Sequence, residues 1–310
     1  MSAVPFARGS GVLLGVGLVV LYTGVLSGAD AITKMIAATF DAPQLYAISG
    51  LIVVAICVAA ASLRGMPRER LATTCPRAMG LRSLATIAAT IGFFNALHML
   101  PLAQVFVFIG LMPILAGLMS GPILGEQVRP AAWIALAAGF VGMLCLFPAG
   151  LQAVGAGHVW ALLGAVAGTF SLVLARFIAR FEQNTLAQVF YPNLALGLAM
   201  ALALPFFWRP MTMADLGWVL AYAGLLFLAR WLVVLALRQM AAYVVVPLLN
   251  VQFVWMVALG AWVFGEWPAA TTILGAAIIV ASGVFMVWDQ MLPGLAGEKA
   301  SGPSDLQTDP

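Results

Sequence analysis

The sequence predicts an all-α integral membrane protein of ten transmembrane helices, built as two inverted five-helix repeats with N and C termini cytoplasmic. Three observations predict it. The 310 residues are 64% hydrophobic and only 8% charged, whereas a soluble domain carries about 25% charged residues. Apolar runs of about 20 residues recur along the chain, the length that crosses a hydrocarbon core about 30 Å thick. One long window then appears twice, at matched places in the two halves.

The apolar runs place helices at 11–37, 44–63, 81–99, 101–122, 131–148, 158–179, 186–206, 215–238, 242–264 and 269–288. The first run lacks a charged leader and a small-residue cleavage site, so it reads as a retained helix and not a signal peptide. Small residues recur at four-residue spacing at Gly11 and Gly15, Gly117 and Gly121, and Gly164 and Gly168, which suits close helix packing in lipid. Connections are short and leave no room for a soluble domain. The expected units are a first repeat at 11–148, a second at 158–288, and a disordered cytoplasmic tail at 289–310, whose Gly, Ser, Pro and Asp cannot build a core.

Charge sets the orientation. With ten helices, Arg8, Arg64, Arg68, Arg70, Arg77, Arg82, Arg129, Arg176, Arg180, Arg230, Arg238 and Lys299 fall on one side, and only Lys34 and Arg209 on the other. Basic residues stay cytoplasmic, so both termini are expected there. A miscount of one helix would scatter these charges. The pI near 9.0 does not indicate nucleic acid, because the basic residues occupy short loops and not one face of a domain. Cys57, Cys75 and Cys145 fit neither a zinc site nor a disulfide framework and read as free thiols.

The window from Ala96 to Glu126, ALHMLPLAQVFVFIGLMPILAGLMSGPILGE, aligns without a gap to ALRQMAAYVVVPLLNVQFVWMVALGAWVFGE, from Ala236 to Glu266. Both open on Ala-Leu and close on Gly-Glu. Earlier in each half, Lys34 and Arg176 hold similar places. Five helices per half is odd, so the second half must enter the membrane upside down. Inverted repeats recur in secondary transporters, with a substrate site near the midplane between halves.

The first window, with Phe93, Phe94 and Asn95 before it, resembles the signature of EamA-type members of the drug/metabolite transporter superfamily, and so does its echo ending in Gly265-Glu266. The resemblance covers roughly 11–288. It implies a ten-helix carrier whose third, fourth, eighth and ninth helices, with the first and sixth, surround a central cavity. Similar chains mostly export amino acids, other metabolites or drugs. This chain departs from the pattern twice. Tyr46 to Gly50 stand where many relatives have an arginine early in the second helix. Pro113 matches the expected proline of the first half, but its counterpart is Phe253, with Pro247 displaced toward the helix start.

A polar group inside hydrocarbon is costly unless it finds a partner or a wet cavity, so the few such residues are the candidates. Thr23, Ser27, Asp30 and Lys34, spaced 4, 3 and 4, share one face of the first helix. Asp30 and Lys34 line the cavity in one reading, with Asp30 taking up a proton or binding a cation. In the other they form an i, i+4 ion pair near water. Arg230 lies inside the eighth run, with Phe227 beside it and Tyr222 two turns earlier. Its planar fork suits a substrate carboxylate or phosphate; the alternative is a side chain snorkelling to the headgroups. Tyr243 and Asn250 share a face of the ninth helix around Pro247, and Gln252, Trp255 and Trp262 follow another. Asn250 and Arg230 fall at similar depth and are candidates for a shared substrate contact, while interhelical hydrogen bonding is the other role open to Asn250 and Gln252. Asn95 and His98 share a face near the outer end of the third helix. His98 is either a proton relay or a histidine meeting water. Glu126 and Glu266 are expected to cap the helices that follow them.

These readings converge on a secondary carrier for a small polar metabolite, working by alternating access. Export of an amino acid or a related anionic or zwitterionic metabolite ranks first, because Arg230 offers a cation. The expected substrate-binding set is Arg230, Asn250, Tyr243, Tyr222, Asp30, Lys34, Asn95 and Trp255, with Asp30 and His98 for proton coupling. The nearest rival is a multidrug or cationic-compound exporter using Asp30 and the aromatic residues. A membrane-embedded enzyme lacks a nucleophile–base pair, a metal-ligand cluster and H-E-x-x-H. A non-transporting scaffold lacks extramembrane surface. No phosphate-binding loop G-x-x-x-x-G-K-[ST] occurs. The sequence thus calls for no cofactor, no metal and no catalytic residue. Expected partners are a small molecule, the lipid bilayer and protons as coupling ion, in a monomer or homodimer; the family resemblance implies a bacterial inner membrane.

Overall fold

The computed structural model describes residues 9–36, 42–63, 71–100, 102–126, 128–146, 155–263 and 270–300. Regular structure among them is entirely helical: α1 (Gly9–Ile36), α2 (Ala42–Ser62), α3 (Pro76–Met99), α4 (Leu102–Leu124), α5 (Pro130–Leu146), α6 (Ala156–Phe181), α7 (Thr185–Ala201), α8 (Leu204–Phe207), α9 (Met213–Gln239), α10 (Ala242–Leu249), α11 (Gln252–Val263) and α12 (Ala270–Ala300). Four segments are long and apolar enough to cross a membrane: Gly11–Ile32, Pro43–Ser62, Ala156–Phe181 and Met213–Gln239. Shorter apolar helices lie at Phe108–Leu124, Pro130–Val141, Ala242–Trp255 and Ile273–Asp289. Large apolar side chains such as Leu13, Ile134 and Trp262 point outward, as lipid-facing residues do.

A helix falls in each of the ten ranges that the apolar runs predict, with three differences. A short α8 follows α7. The ninth range is split at Asn250 and Val251. Pro247 has no N–H to give the carbonyl four residues back. The chain closes instead with tighter three-residue bonds, from Asn250 N–H to Pro247 O (3.1 Å) and Val251 N–H to Leu248 O (3.0 Å). The last helix also continues to Ala300, past 288 and into the range expected to be a disordered tail. Its Asp289 is held from α5's start: Arg129 Nη1 donates to Asp289 O (3.1 Å) and Oδ1 (3.0 Å).

Helix starts follow local chemistry. Thr212 and Asp215 form a reciprocal cap at α9: Thr212 N–H donates to Asp215 Oδ2 (2.8 Å), and Asp215 N–H to Thr212 Oγ1 (3.3 Å). Asn184 caps α7, its Oδ1 accepting from Ala187 N–H at 3.2 Å.

Packing pairs the two sides of the chain. α3 packs along α6, and α1 along α9; α4 meets α6, and α10 and α11 meet α1; α3 meets α7, and α2 meets α9. α2 with α7, and α5 with α12, complete the set. Exchanging the helices before 147 with those after 154 maps these pairs onto one another. Two crossings bring backbones together. A Cβ on Gly92 of α3 would lie 2.7 Å from the backbone nitrogen of Gly164 in α6, and one on Gly50 of α2 would lie 3.1 Å from Asn193 O and Gly197 Cα in α7. Only glycine permits such approach. Of the three predicted small-residue pairs, Gly164 makes this contact and Gly15 faces Met240, whereas Gly121 faces open space.

Candidate functional site

Helices α1 and α9 run side by side and carry the two charges that the sequence marks out. Asp30, half-buried on α1, accepts a hydrogen bond from Gln252 Nε2 at 2.6 Å. Gln252 opens α11, directly after the break that follows α10. Its own carbonyl accepts from Ser27 Oγ at 3.3 Å. The broken ninth range is therefore docked on the polar face of α1 at two points. Trp255 closes the contact, lying beside Gly24 of α1, where a Cβ would sit 3.5 Å from its indole.

Arg230 lies half-buried on α9, and no hydrogen bond or ion pair joins it to another described residue. Its charge acts on Tyr22 of α1, Tyr46 of α2 and Arg82 of α3. The charge of Asp30 acts on the same two tyrosines. Arg230 and Asp30 are both within electrostatic reach of Tyr22 and Tyr46, which pack against different apolar clusters. Phe227 and Trp231 flank Arg230 along α9, their rings 5.9 Å apart.

The remaining predicted residues are distributed more widely. Tyr222 is buried in an apolar cluster with Ala29, Leu45 and Leu226. Asn250 is buried at the end of α10, and no hydrogen bond joins it to Arg230. Tyr243 lies in the cluster formed with Val12, Leu136 and Leu237, against which Tyr22 also packs, within reach of the charges of Glu126, Arg129 and Asp289. Asn95 satisfies itself locally, its Nδ2 donating to Ile91 O at 2.8 Å. The side chains of Lys34 and His98, and the whole of Glu266, lie outside the described residues.

One expectation is corrected. Glu126 does not serve as a cap. Its Oε1 accepts from Arg176 Nε (3.1 Å) and Arg180 Nη2 (2.7 Å) of α6, because α6 ends beside the 125–129 connection and brings two guanidinium groups to it. Arg176 Nη1 also donates to Leu237 O at 2.7 Å, and Arg180 Nη1 to Leu124 O. Arg82, counted among the basic residues of the cytoplasmic side, is 4% exposed. Its Nη1 donates to Gln188 O (2.9 Å) and Gln188 Oε1 (2.7 Å) on α7. Arg82, Gln188, Tyr22 and Tyr46 are absent from the predicted set. The available signal was the run Arg82, Ser83, Thr86, Thr90, a polar stripe on an otherwise apolar helix. A hydrogen bond of 2.8 Å between Thr86 and Ser171 joins that stripe to α6.

A small apolar cavity of about 230 Å³ opens beside Tyr46, lined by Pro43, Thr90, Phe94, Met200 and Phe207 among others. Among the described residues no cluster of His, Cys, Asp and Glu could hold a metal ion.

Residues 10–147 match the family model described as the EamA-like transporter family. A riboflavin transporter of Vibrio cholerae is 30% identical over 216 residues, covering 66% of this chain and 70% of that protein. A riboflavin transporter of Rhizobium johnstonii is 25% identical over 225 residues, covering 73% of this chain and 72% of that one. The fold is shared with a protein of known crystal structure at a TM-score of 0.73 and 21% identity, over 96% of this chain and 100% of that one.

Proposed function

The chain belongs to the EamA-like transporter family, and from that premise we propose that it is a secondary-active carrier moving a small polar metabolite past Arg230, Asp30 and Gln252. It is a multi-pass membrane protein, and its relatives indicate a transporter of small metabolites and not an enzyme. Its surroundings are lipid and its partner a small molecule.

One observation carries the reading. Arg230 stands in an apolar helix without a hydrogen-bond partner among the described residues, within electrostatic reach of the same two tyrosines as Asp30. An arginine held in such a place at a cost is explained by a ligand that it meets. Riboflavin is the first substrate to test. Its ring edge carries carbonyl oxygens and an N–H, which an arginine, a carboxylate and an amide complement, and tyrosine offers flat apolar faces. The second reading, export of an amino acid or another anionic or zwitterionic metabolite, is favoured by the charge of Arg230, which meets no acidic partner among the described residues. The cationic-compound reading depends on Asp30, whose carboxylate is already engaged by Gln252.

Ten membrane-crossing helices in two inverted halves are part of this proposal, supported by the repeated window and by the exchangeable packing pairs. So are cytoplasmic termini, a bacterial inner membrane, a monomer or homodimer, and a proton taken up at Asp30. The test is labelled riboflavin flux in proteoliposomes, with labelled glutamate in parallel. We expect time-dependent riboflavin entry that drops at least about tenfold in Arg230→Gln, the loss of one charge-assisted hydrogen bond. Glutamate flux without riboflavin flux transfers the assignment to the second reading. A wild type that moves neither overturns the carrier assignment at this site.

A further inference from the structure

A buried guanidinium needs a counter-charge or a full set of acceptors. Arg82 has neither among the described residues. It is 4% exposed, and its one bonded nitrogen, Nη1, meets only the two oxygens of Gln188, which is itself 1% exposed. Arg82 Nε and Gln188 Nε2 are both buried donors without an acceptor. Two adjacent buried donors, one of them charged, are rare in folded proteins and call for an explanation.

The position supplies one. Arg82 is on α3, Gln188 on α7 and Arg230 on α9, and α7 packs against both of the others. The charges of Arg82 and Arg230 act on each other. Like charges repel, and an anion placed between them turns that repulsion into attraction to a common partner. No ion pair joins either cation to an acid among the described residues; Asp30 accepts a hydrogen bond from Gln252.

Resting on the carrier reading above, we propose that Arg82 and Gln188 form a second anchoring point of the substrate site, which takes an acidic oxygen group, carboxylate or phosphate, shared with Arg230. A metabolite held at this second point has an acidic end, which neutral riboflavin lacks. The donors match it: a guanidinium and an amide N–H give an oxyanion two or more hydrogen bonds, and charge-assisted bonds to Arg are the strong ones. A neutral flavin meets Arg230 and the tyrosines but leaves Arg82 unused.

The experiment is ligand-induced thermal stabilisation of the purified full chain in detergent, by mass action on the folded state. The probes are riboflavin 5′-phosphate, inorganic phosphate, glutamate and neutral riboflavin. The variants are Arg82→Gln and Gln188→Glu. The second places a carboxylate against Arg82, so the fold keeps its buried partner while the internal acid competes with the ligand's. We expect at least one acidic probe to stabilise wild type, with affinity about tenfold or more weaker in both variants, while the ligand-free melting temperature of Gln188→Glu does not fall. Response to phosphate-bearing probes or to glutamate names the group. The proposal is overturned if no acidic probe stabilises wild type, or if an acidic probe binds Gln188→Glu as tightly as wild type; buried water then satisfies the two donors. Flux in proteoliposomes judges the carrier reading separately. Acid binding that depends on Arg82 without flux leaves the site standing and removes the carrier. Riboflavin flux without acid binding does the reverse.

Discussion

Asp30 is the residue whose role is most sharply defined by a single contact. A hydrogen bond of 2.6 Å from Gln252 holds its carboxylate against the opening turn of α11, so a change at Asp30 is transmitted to the broken ninth range. Asp30→Asn keeps a bond to Gln252 but cannot take up a proton. If Asp30 carries the coupling proton, flux driven by a pH gradient falls at least about tenfold in this variant, while substrate exchange without a gradient persists. Gradient-driven flux of unchanged pH dependence would remove the proton role. Asp30 and Arg230 were legible in the sequence because charge in hydrocarbon is costly and therefore informative. Arg82 was not. Charge counting assigns every arginine near a loop to the surface, and its burial depends on α7, which is distant in the chain.

At the scale of elements, two features decide how the helices meet. The first is the Gly92–Gly164 crossing of α3 and α6. A Cβ there would lie 2.7 Å from a backbone nitrogen, and backbone cannot step aside as a flexible side chain can. Gly92→Leu should therefore destabilise by about 1–3 kcal/mol or more, seen as a lower melting temperature, whereas Gly121→Leu, facing open space, should change it little. Equal effects at both would mean that the crossing is looser than this geometry. The second feature is the break after Leu249. Pro247 was visible as a helix disturber, but its missing N–H frees the carbonyl of Tyr243 before it, whereas the turn falls after it, at Asn250 and Val251. Yet Pro113 lies inside α4, which stays continuous. A proline alone does not determine whether a helix splits; the docking of Gln252 on Asp30 and Ser27 stabilises the split form in one case.

Across the whole molecule, polar links concentrate at one end. Glu126 binds Arg176 and Arg180; Glu182 Oε2 accepts from Thr73 Oγ1 (2.8 Å) and Thr74 N–H (2.7 Å); Arg238 Nη2 donates to Gln183 Oε1 (2.9 Å). The first two of these links join segments before 147 to segments after 154. Breaking one should free the halves to move. In Glu126→Gln the two arginines lose their ionic partner, a loss of about 1.5–3 kcal/mol for a charged hydrogen bond before solvent screening. Backbone hydrogen exchange over 176–182 should then accelerate by about tenfold or more. Exchange at the wild-type rate would show that these pairs do not hold the halves together.

The sequence by itself determined that this chain lives in lipid, that it is helical, and which family it resembles, and its matched windows are the ground for proposing two repeating halves. Each of those is a local or periodic property: composition, run length, a window matched at fixed offset. It also singled out Asp30 and Arg230, because their cost is legible wherever they occur. Tertiary structure alone decided the partners. Gln252 meets Asp30 across 222 positions of chain and Gln188 meets Arg82 across 106. Glu126 became an ion pair and not a cap because α6 ends beside it. Such contacts depend on which helix faces share an interface, and that is set by the packing of glycine crossings and apolar clusters summed over the molecule, a global property that no window of sequence contains.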